Sequence, residues 1–315
     1  MWSFPTGCSV TSSPTVANDL VYFGSWNHNV YALDASSSRR IWCFPTDSYV
    51  SASPAVMNGM VYFGSYDGHL YALDAATSLQ MWSFCSRNVV TSSPTVVNSV
   101  VYFGSHDHNL YALDAASGIK IWSFHTSMSV SSSPTVVNGT VYFGSHDGHL
   151  YALDAASGEK IWSFPTGNAV TSSPAVVDGV IFFGSHDHSF YALEISSGRE
   201  LWSLSSAGGI HSSPVVANGL VYFGSGDHSL YALVASSGRL KWSFPTSSLV
   251  DSSPAVVNGV VYCGSWDRNL YAIDAASGQK IWSFPTGMAV SSSPTVVNGV
   301  VYFGSRDGNL YAVYA

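Results

Sequence analysis

One segment of about forty residues is written eight times along this chain. Pro14, Pro54, Pro94, Pro134, Pro174, Pro214, Pro254 and Pro294 stand 40 positions apart, and the same text runs around each, as in SSPTVVNGTVYFGSHDGHLYALDAASGEKIWSF from Ser132. A fixed period of this length means that each unit is one supersecondary element, unable to bury its apolar face alone. No unit is independent of its neighbours, so residues 1–315 are expected to form one domain.

Each unit carries four strand signals separated by turn signals. In the third repeat the text predicts strands over Ser92–Val97, Val100–Ser105, Asn109–Ala115 and Lys120–Thr126. The turns between them fall at Asn98-Ser99, His106-Asp107-His108 and Ser117-Gly118. Most copies have Asn-Gly at the first of these, the strongest short hairpin signal. No helical period is present, and β-branched and aromatic residues dominate. Val100-Val101-Tyr102-Phe103 and Leu110-Tyr111-Ala112-Leu113 are almost continuously apolar. A sheet with one wet face would alternate, so both faces must be covered, as when small sheets stack radially. The expected fold is all-β: an eight-bladed β-propeller with four antiparallel strands per blade.

The two ends of the sequence fit a closed ring. Met1-Trp2-Ser3-Phe4-Pro5-Thr6 reads as a fourth strand, like Ile161-Trp162-Ser163-Phe164-Pro165-Thr166, and the eighth repeat stops at Ala315 after its third strand. The N-terminal strand should therefore complete the last blade and hide two sheet edges that would otherwise recruit other chains. A monomer is the corresponding expectation. Met1 is followed at once by repeat text, with no signal peptide, as expected of a module excised from a longer protein.

The segment Ala112-Leu113-Asp114-Ala115-Ala116-Ser117-Gly118-Ile119-Lys120-Ile121-Trp122 resembles the pyrroloquinoline-quinone (PQQ) repeat, whose pattern is A-x-D-x-x-T/S-G-x-x-x-W. The motif leads to Trp42, Trp82, Trp162, Trp202, Trp242 and Trp282, and Trp2 supplies the eighth from the other terminus. Glu194 and Val234 replace its Asp, and Ser37-Ser38 and Thr77-Ser78 replace its Ser-Gly. The resemblance implies that each Trp docks on the neighbouring blade. It also implies an extracellular or periplasmic setting. The family includes quinoprotein dehydrogenases and non-catalytic propellers such as the outer-membrane assembly lipoprotein. The dehydrogenases hold their quinone with a vicinal Cys pair and a calcium on carboxylates and Asn. Here Cys8, Cys43, Cys85 and Cys263 are never adjacent and fall in four different columns, so neither PQQ nor calcium is expected. The cysteines are expected to be free thiols.

Composition narrows the partners. A formal charge of −8, with only 10% charged residues, argues against nucleic acid, whose binding rests on Lys and Arg neutralising phosphates. It disfavours anionic membrane surfaces for the same reason. No apolar run is long enough to insert into a membrane.

Variation between copies concentrates in two loops expected on one face: the link from the fourth strand to the next blade, and the turn between strands two and three. Binding residues favour loops on rigid scaffolds. In that turn, Trp266, Arg306, Trp26 and Tyr66 come from consecutive blades, and His106, His146 and His186 form an opposite arc followed by Gly226. Exposed aromatics near an Arg suit stacking on sugars, quinones or partner side chains; the plainer alternative is that each packs over its own blade. The histidines invite a metal, with His108, His188, His28 and His228 two columns on. However, packed sheets sit about 10 Å apart and zinc wants nitrogens at about 2.1 Å, so no metal is assigned. A pH-dependent surface fits better: 11 protonated histidines would take the charge from −8 to about +3, with midpoints near pH 6.5. The next column, Asp67, Asp107, Asp147, Asp187, Asp227, Asp267 and Asp307, reads as turn-forming side chains, with Asn27 in the first repeat.

His211 and Asp251 replace Ser or Thr in the column before Ser-Ser-Pro, in adjacent blades. This pair could meet near the channel mouth, where a His–Asp pair can orient a water or act as a base. The reading that follows is a non-enzymatic binding or scaffolding ring that presents its variable face to a protein or to a small molecule, including a carbohydrate. The alternatives are a degenerate quinoprotein or a hydrolase at His211 and Asp251, and a structural spacer in a longer chain.

Overall fold

The computed structural model describes residues 1–315 as eight four-stranded antiparallel sheets arranged as a propeller, without a helix. In the first blade the strands are Thr15–Ala17, Leu20–Ser25, Asn29–Asp34 and Arg40–Pro45, from the channel outward. The last blade is closed as expected: Trp2–Pro5 pairs with Asn309–Tyr314 in the register Trp2↔Ala312, Ser3↔Tyr311, Phe4↔Leu310.

The turns explain the punctuation. Asn58 and Gly59 both have positive φ, 51° and 76°, as a two-residue hairpin of matching twist requires. Asn138-Gly139, which also reads as a glycosylation sequon with Thr140, is the same turn. At the next turn down the blade, Asp114 Oδ1 accepts from the N–H and hydroxyl of Ser117 at 2.8 and 2.7 Å, and Gly118 follows at φ 70°. The Trp of the PQQ-type motif docks onto this turn in the next blade. Trp82 Nε1 donates to the carbonyl of Ala115 at 3.0 Å, and a Cβ on Gly118 would lie 2.6 Å from the Trp82 ring. Seven such indole bonds link successive blades, from Trp2 to Ala35 through to Trp242 to Ala275.

The core lies between blades. Tyr62, Leu70, Trp82 and Val90 of one interface pack with Val101, Phe103, Tyr111 and Leu113, and eight such clusters run round the ring. Both faces of every sheet are covered, which is why the central strands do not alternate. The outer strand alone carries a bulge: Ala112 pairs with Trp122 but Leu113 with Lys120, and the skipped Ile121 stays 50% exposed.

The strands of the third repeat differ from expectation at their bounds: the second, third and fourth each end one residue earlier, at Gly104, Asp114 and His125, and the first starts later. The inner strand of the third repeat spans Thr95–Val97, not Ser92–Val97. Pro94 has no N–H to pair, and the N–H of Ser93 points sideways to Ser133 Oγ at 3.0 Å. The same bond recurs in all eight blades and closes with Ser293 N–H to Ser13 Oγ at 3.0 Å, so a circle of serine hydrogen bonds rings the channel.

Candidate functional site at the channel mouth

The two variable loops do share one face and bond each other. Trp26 N–H donates to Ser9 O, and Asp47 N–H reaches Asp67 Oδ2. The acidic column is structural, as expected. Asp67 Oδ1 accepts from His69 N–H at 3.0 Å, and its Oδ2 accepts from the Tyr71 hydroxyl at 3.0 Å. In the first repeat Asn27 reverses the polarity, its amide donating to Tyr31 Oη and to Thr6 O. The negative carboxylates push the paired tyrosines up, after burial: Tyr191, Tyr231 and Tyr311 reach about 12.

The residue before this Asp leans inward over the channel and bonds the column fifteen positions earlier. Trp26 Nε1 donates to Thr11 Oγ1 at 2.9 Å. His106, His146 and His186 place Nε2 on the hydroxyls of Thr91, Ser131 and Thr171 at 3.0, 2.8 and 2.8 Å. Arg306 Nε reaches Ser291 Oγ at 3.3 Å. The two columns singled out separately in the sequence are therefore one structure, a ring of half-buried side chains around the mouth.

On one side the ring is a stacked ladder. The Arg306 guanidinium lies 4.1 Å from the Trp266 ring and 5.9 Å from that of Trp26. Trp26 stacks on Tyr49 at 5.2 Å, and Tyr49 meets Tyr66 edge-on at 5.9 Å. The expectation of exposed aromatic platforms is corrected here: Trp26 and Trp266 are half-buried and carry Tyr49 and Arg306 on their faces. Nor does each ring pack only over its own blade, because Tyr49 belongs to the loop entering the next one. Tyr49 was legible only as an aromatic in a loop column otherwise filled by Ser, Val, Ala, Gly and Leu.

On the other side run imidazoles. His106 and His146 lie 6.2 Å apart, His146 and His186 6.5 Å, and His186 and His211 3.9 Å between ring centres. In the sixth blade Gly226 has no side chain to offer. A Cβ on Gly208 would lie 2.4 Å from the backbone of Gly226, so the glycine loop presses close and His211 fills the open place beside His186. His211 thus joins the histidine arc. It makes no hydrogen bond to Asp251, so the His–Asp dyad expected from the sequence does not form, and the His211 charge only pulls the Asp251 carboxyl down against its burial.

Asp251 is the anomaly of the mouth. Its Oδ1 is buried without a hydrogen-bond partner, and so is the neighbouring Trp266 Nε1. Burial lifts the Asp251 carboxyl above its usual range, against the pull of His211, the Trp266 indole and Arg306. The imidazoles shift the other way. Burial, then the His211 and His146 charges, hold His186 down at about 4, against the weaker pull of Asp187. Burial also lowers His106, helped by His146 and His108, and lowers His146 against Asp147. The common midpoint near pH 6.5 expected for the histidines does not hold for these three.

No three His, Cys, Asp or Glu side chains converge as a metal-holding group. His106 and His108 share a turn but diverge, His106 over the channel and His108 outward to stack on His125 at 6.1 Å. His28, His108, His188 and His228 occupy a position with φ of 69–73°, where other copies have Gly68, Gly148 and Gly308. The quinone likewise finds no fit: the four cysteines are separate free thiols, with Cys263 buried and the others exposed.

The sequence matches the family described as outer membrane protein assembly factor BamB over residues 1–146, 106–209 and 205–315. No curated protein matches it. BamB from Moraxella catarrhalis superposes with a TM-score of 0.87 at 20% identity, over 100% of this chain and 99% of that one. Quinohemoprotein alcohol dehydrogenase from Comamonas testosteroni gives 0.83 at 19% identity, over 99% and 75%. The computationally designed Ika8 protein gives 0.89 at 16%, over 99% and 98%. At these identities the structural likeness is one of fold.

Proposed function

Since the chain belongs to the family of the outer membrane protein assembly factor BamB, we propose that it is a non-catalytic propeller that binds a protein partner at the mouth formed by Trp266, Arg306, Trp26, Tyr66, His106, His146, His186, His211 and Asp251. One observation carries this reading. Blade interiors repeat almost unchanged, while the side chains that differ converge on one end of the channel. A rigid scaffold with a single variable rim suits recognition. Arginine stacked between aromatics is a typical interface anchor. A stacked sugar fits less well, because Trp266 and Trp26 already carry Arg306 and Tyr49 against a face. Catalysis at His211 and Asp251 lacks a nucleophile and a formed dyad. A periplasmic setting and a monomeric state accompany the proposal.

The test is photo-crosslinking from residue 211 at the mouth and from residue 121 on the outer strand. Adducts with a discrete protein from position 211 alone support the reading. Adducts from 121 alone move the partner to the rim. Dye reduction after adding PQQ and calcium, abolished in Asp251→Asn, would make the ring an enzyme instead.

A further inference from the structure

All eleven histidines lie on the face that holds the mouth, in turns and strand ends: His28, His69, His106, His108, His125, His146, His149, His186, His188, His211 and His228. The opposite face has none. The mouth face also holds nine carboxylates, one in each of seven turns plus Asp47 and Asp251, and three guanidiniums, on Arg87, Arg268 and Arg306. Its formal charge is therefore −6 with neutral histidines and +5 with all eleven protonated, counting nine acids against three and then fourteen cations. The opposite face, with ten acids and eight bases, stays at −2. Acidification thus reverses the sign of one face only.

The mouth adds a focus to this reversal. Nδ1 of His106, His146 and His186 makes no hydrogen bond, since only Nε2 is engaged. The terminal nitrogens of Arg306 have no protein acceptor, and Arg306 forms no ion pair with Asp251. Unengaged nitrogens therefore face the mouth from both sides, with Arg306 in the eighth blade and His146 in the fourth. Facing the imidazoles are Asp147 and Asp187, whose carboxylates are spent on Tyr151 and Tyr191 at 2.9 and 2.8 Å, together with His108.

Resting on the reading of the mouth as the binding site, we propose that its partner is an acidic polypeptide segment, taken up as the pH falls and held by Arg306 and by protonated His146, His186 and His211. Burial, with like charge added at His186, disfavours the charged form of His146 and His186 until an anion enters, so binding draws protons in. Burial makes Asp251 take up its proton sooner than an ordinary carboxyl as the pH falls, which removes one opposing charge over the same descent. Half-burial of His146 and His186, with only His211 exposed beside them, favours an extended peptide, whose side chains reach in, over a flat lipid surface.

The experiment titrates the purified ring with an oligoaspartate peptide at about pH 7.5 and about pH 5, by calorimetry in two buffers of different protonation enthalpy. The expected result is at least tenfold tighter binding at the lower pH with net proton uptake, and the opposite trend for oligolysine. Arg306→Gln should weaken oligoaspartate at both pH values. His146→Gln combined with His186→Gln should flatten the pH dependence while the neutral-pH melting temperature confirms folding. Equal affinity at both pH values, an unchanged profile in the double variant, or capture by phosphatidylserine vesicles that the double variant retains would each overturn the proposal. So would no oligoaspartate binding at either pH, whereas crosslinking from residue 211 judges the binding site independently.

Discussion

Trp82 Nε1 donates to the carbonyl of Ala115, 33 residues ahead and one blade on, at 3.0 Å, while the indole face lies against Gly118. One side chain thus fixes both the spacing and the tilt of two adjacent sheets. Seven of these clasps reinforce the eight interfaces of aromatic and aliphatic packing, so blade order is set at the outer rim as well as in the core.

Gly118→Ala should cost more than Gly139→Ala. Both residues have positive φ, 70° and 76°, so each variant bears a left-handed penalty of about 1 kcal/mol. A Cβ at Gly139 meets nothing within 4 Å, whereas at Gly118 it would lie 2.6 Å from Trp82. Displacing the indole adds about 1–3 kcal/mol. Denaturant unfolding of the two variants should differ by that amount; equal values would mean that the indole is not held in place.

Removing residues 1–6 should open the ring. It strips Trp2–Pro5 from Asn309–Tyr314 and uncovers the cluster built on Tyr302, Leu310 and Ala312. The bared edge of Asn309–Tyr314 is then a template for pairing with another chain. Light scattering after size exclusion should find self-association in the truncated protein and none in the full chain.

Stability should fall on mild acidification. His186 has a folded value near 4 against 6.5 unfolded, and His106 and His146 are shifted the same way. Between these values the unfolded chain binds more protons, so the contribution is whole above about pH 6.5 and is lost as pH falls toward 4. Asp251, raised from 3.8, acts in the opposite sense, favouring the folded state at the acid end of this range. Melting temperatures from neutral pH downward should decline less steeply for His186→Gln than for the parent; parallel curves would remove His186 from the account.

His188→Gly should stabilise the ring. His188 sits at φ 71°, where an L side chain is strained and where Gly68, Gly148 and Gly308 serve in other blades. Its ring is exposed, so little packing is lost. A gain approaching 1 kcal/mol is expected from chemical denaturation. A loss would mean that the imidazole makes a contact stronger than the strain it imposes.

The fold was legible because each of its rules is local and recurs. Asn-Gly dictates a turn, Asp114 and Ser117 another, and the period of Trp122 and its equivalents sets the number of blades. The mouth was legible only in parts. His186 and His211 stand 25 positions apart, and they touch because Gly226 offers no side chain and Gly208 lets the loop press inward. Trp26 and Tyr49 stack across a blade boundary, a relationship that no single column reports. The reach of a side chain across a ring depends on the backbone of two blades, and the sequence writes those blades far apart.

The serine circle around the channel makes this end of the molecule a hoop. Each blade holds the next through Ser N–H to Ser Oγ, and the last holds the first. An outward push from an entering segment is therefore carried as tension around all eight bonds and is not borne by one blade. The width of this opening is thus a property of the whole circle and of no single blade.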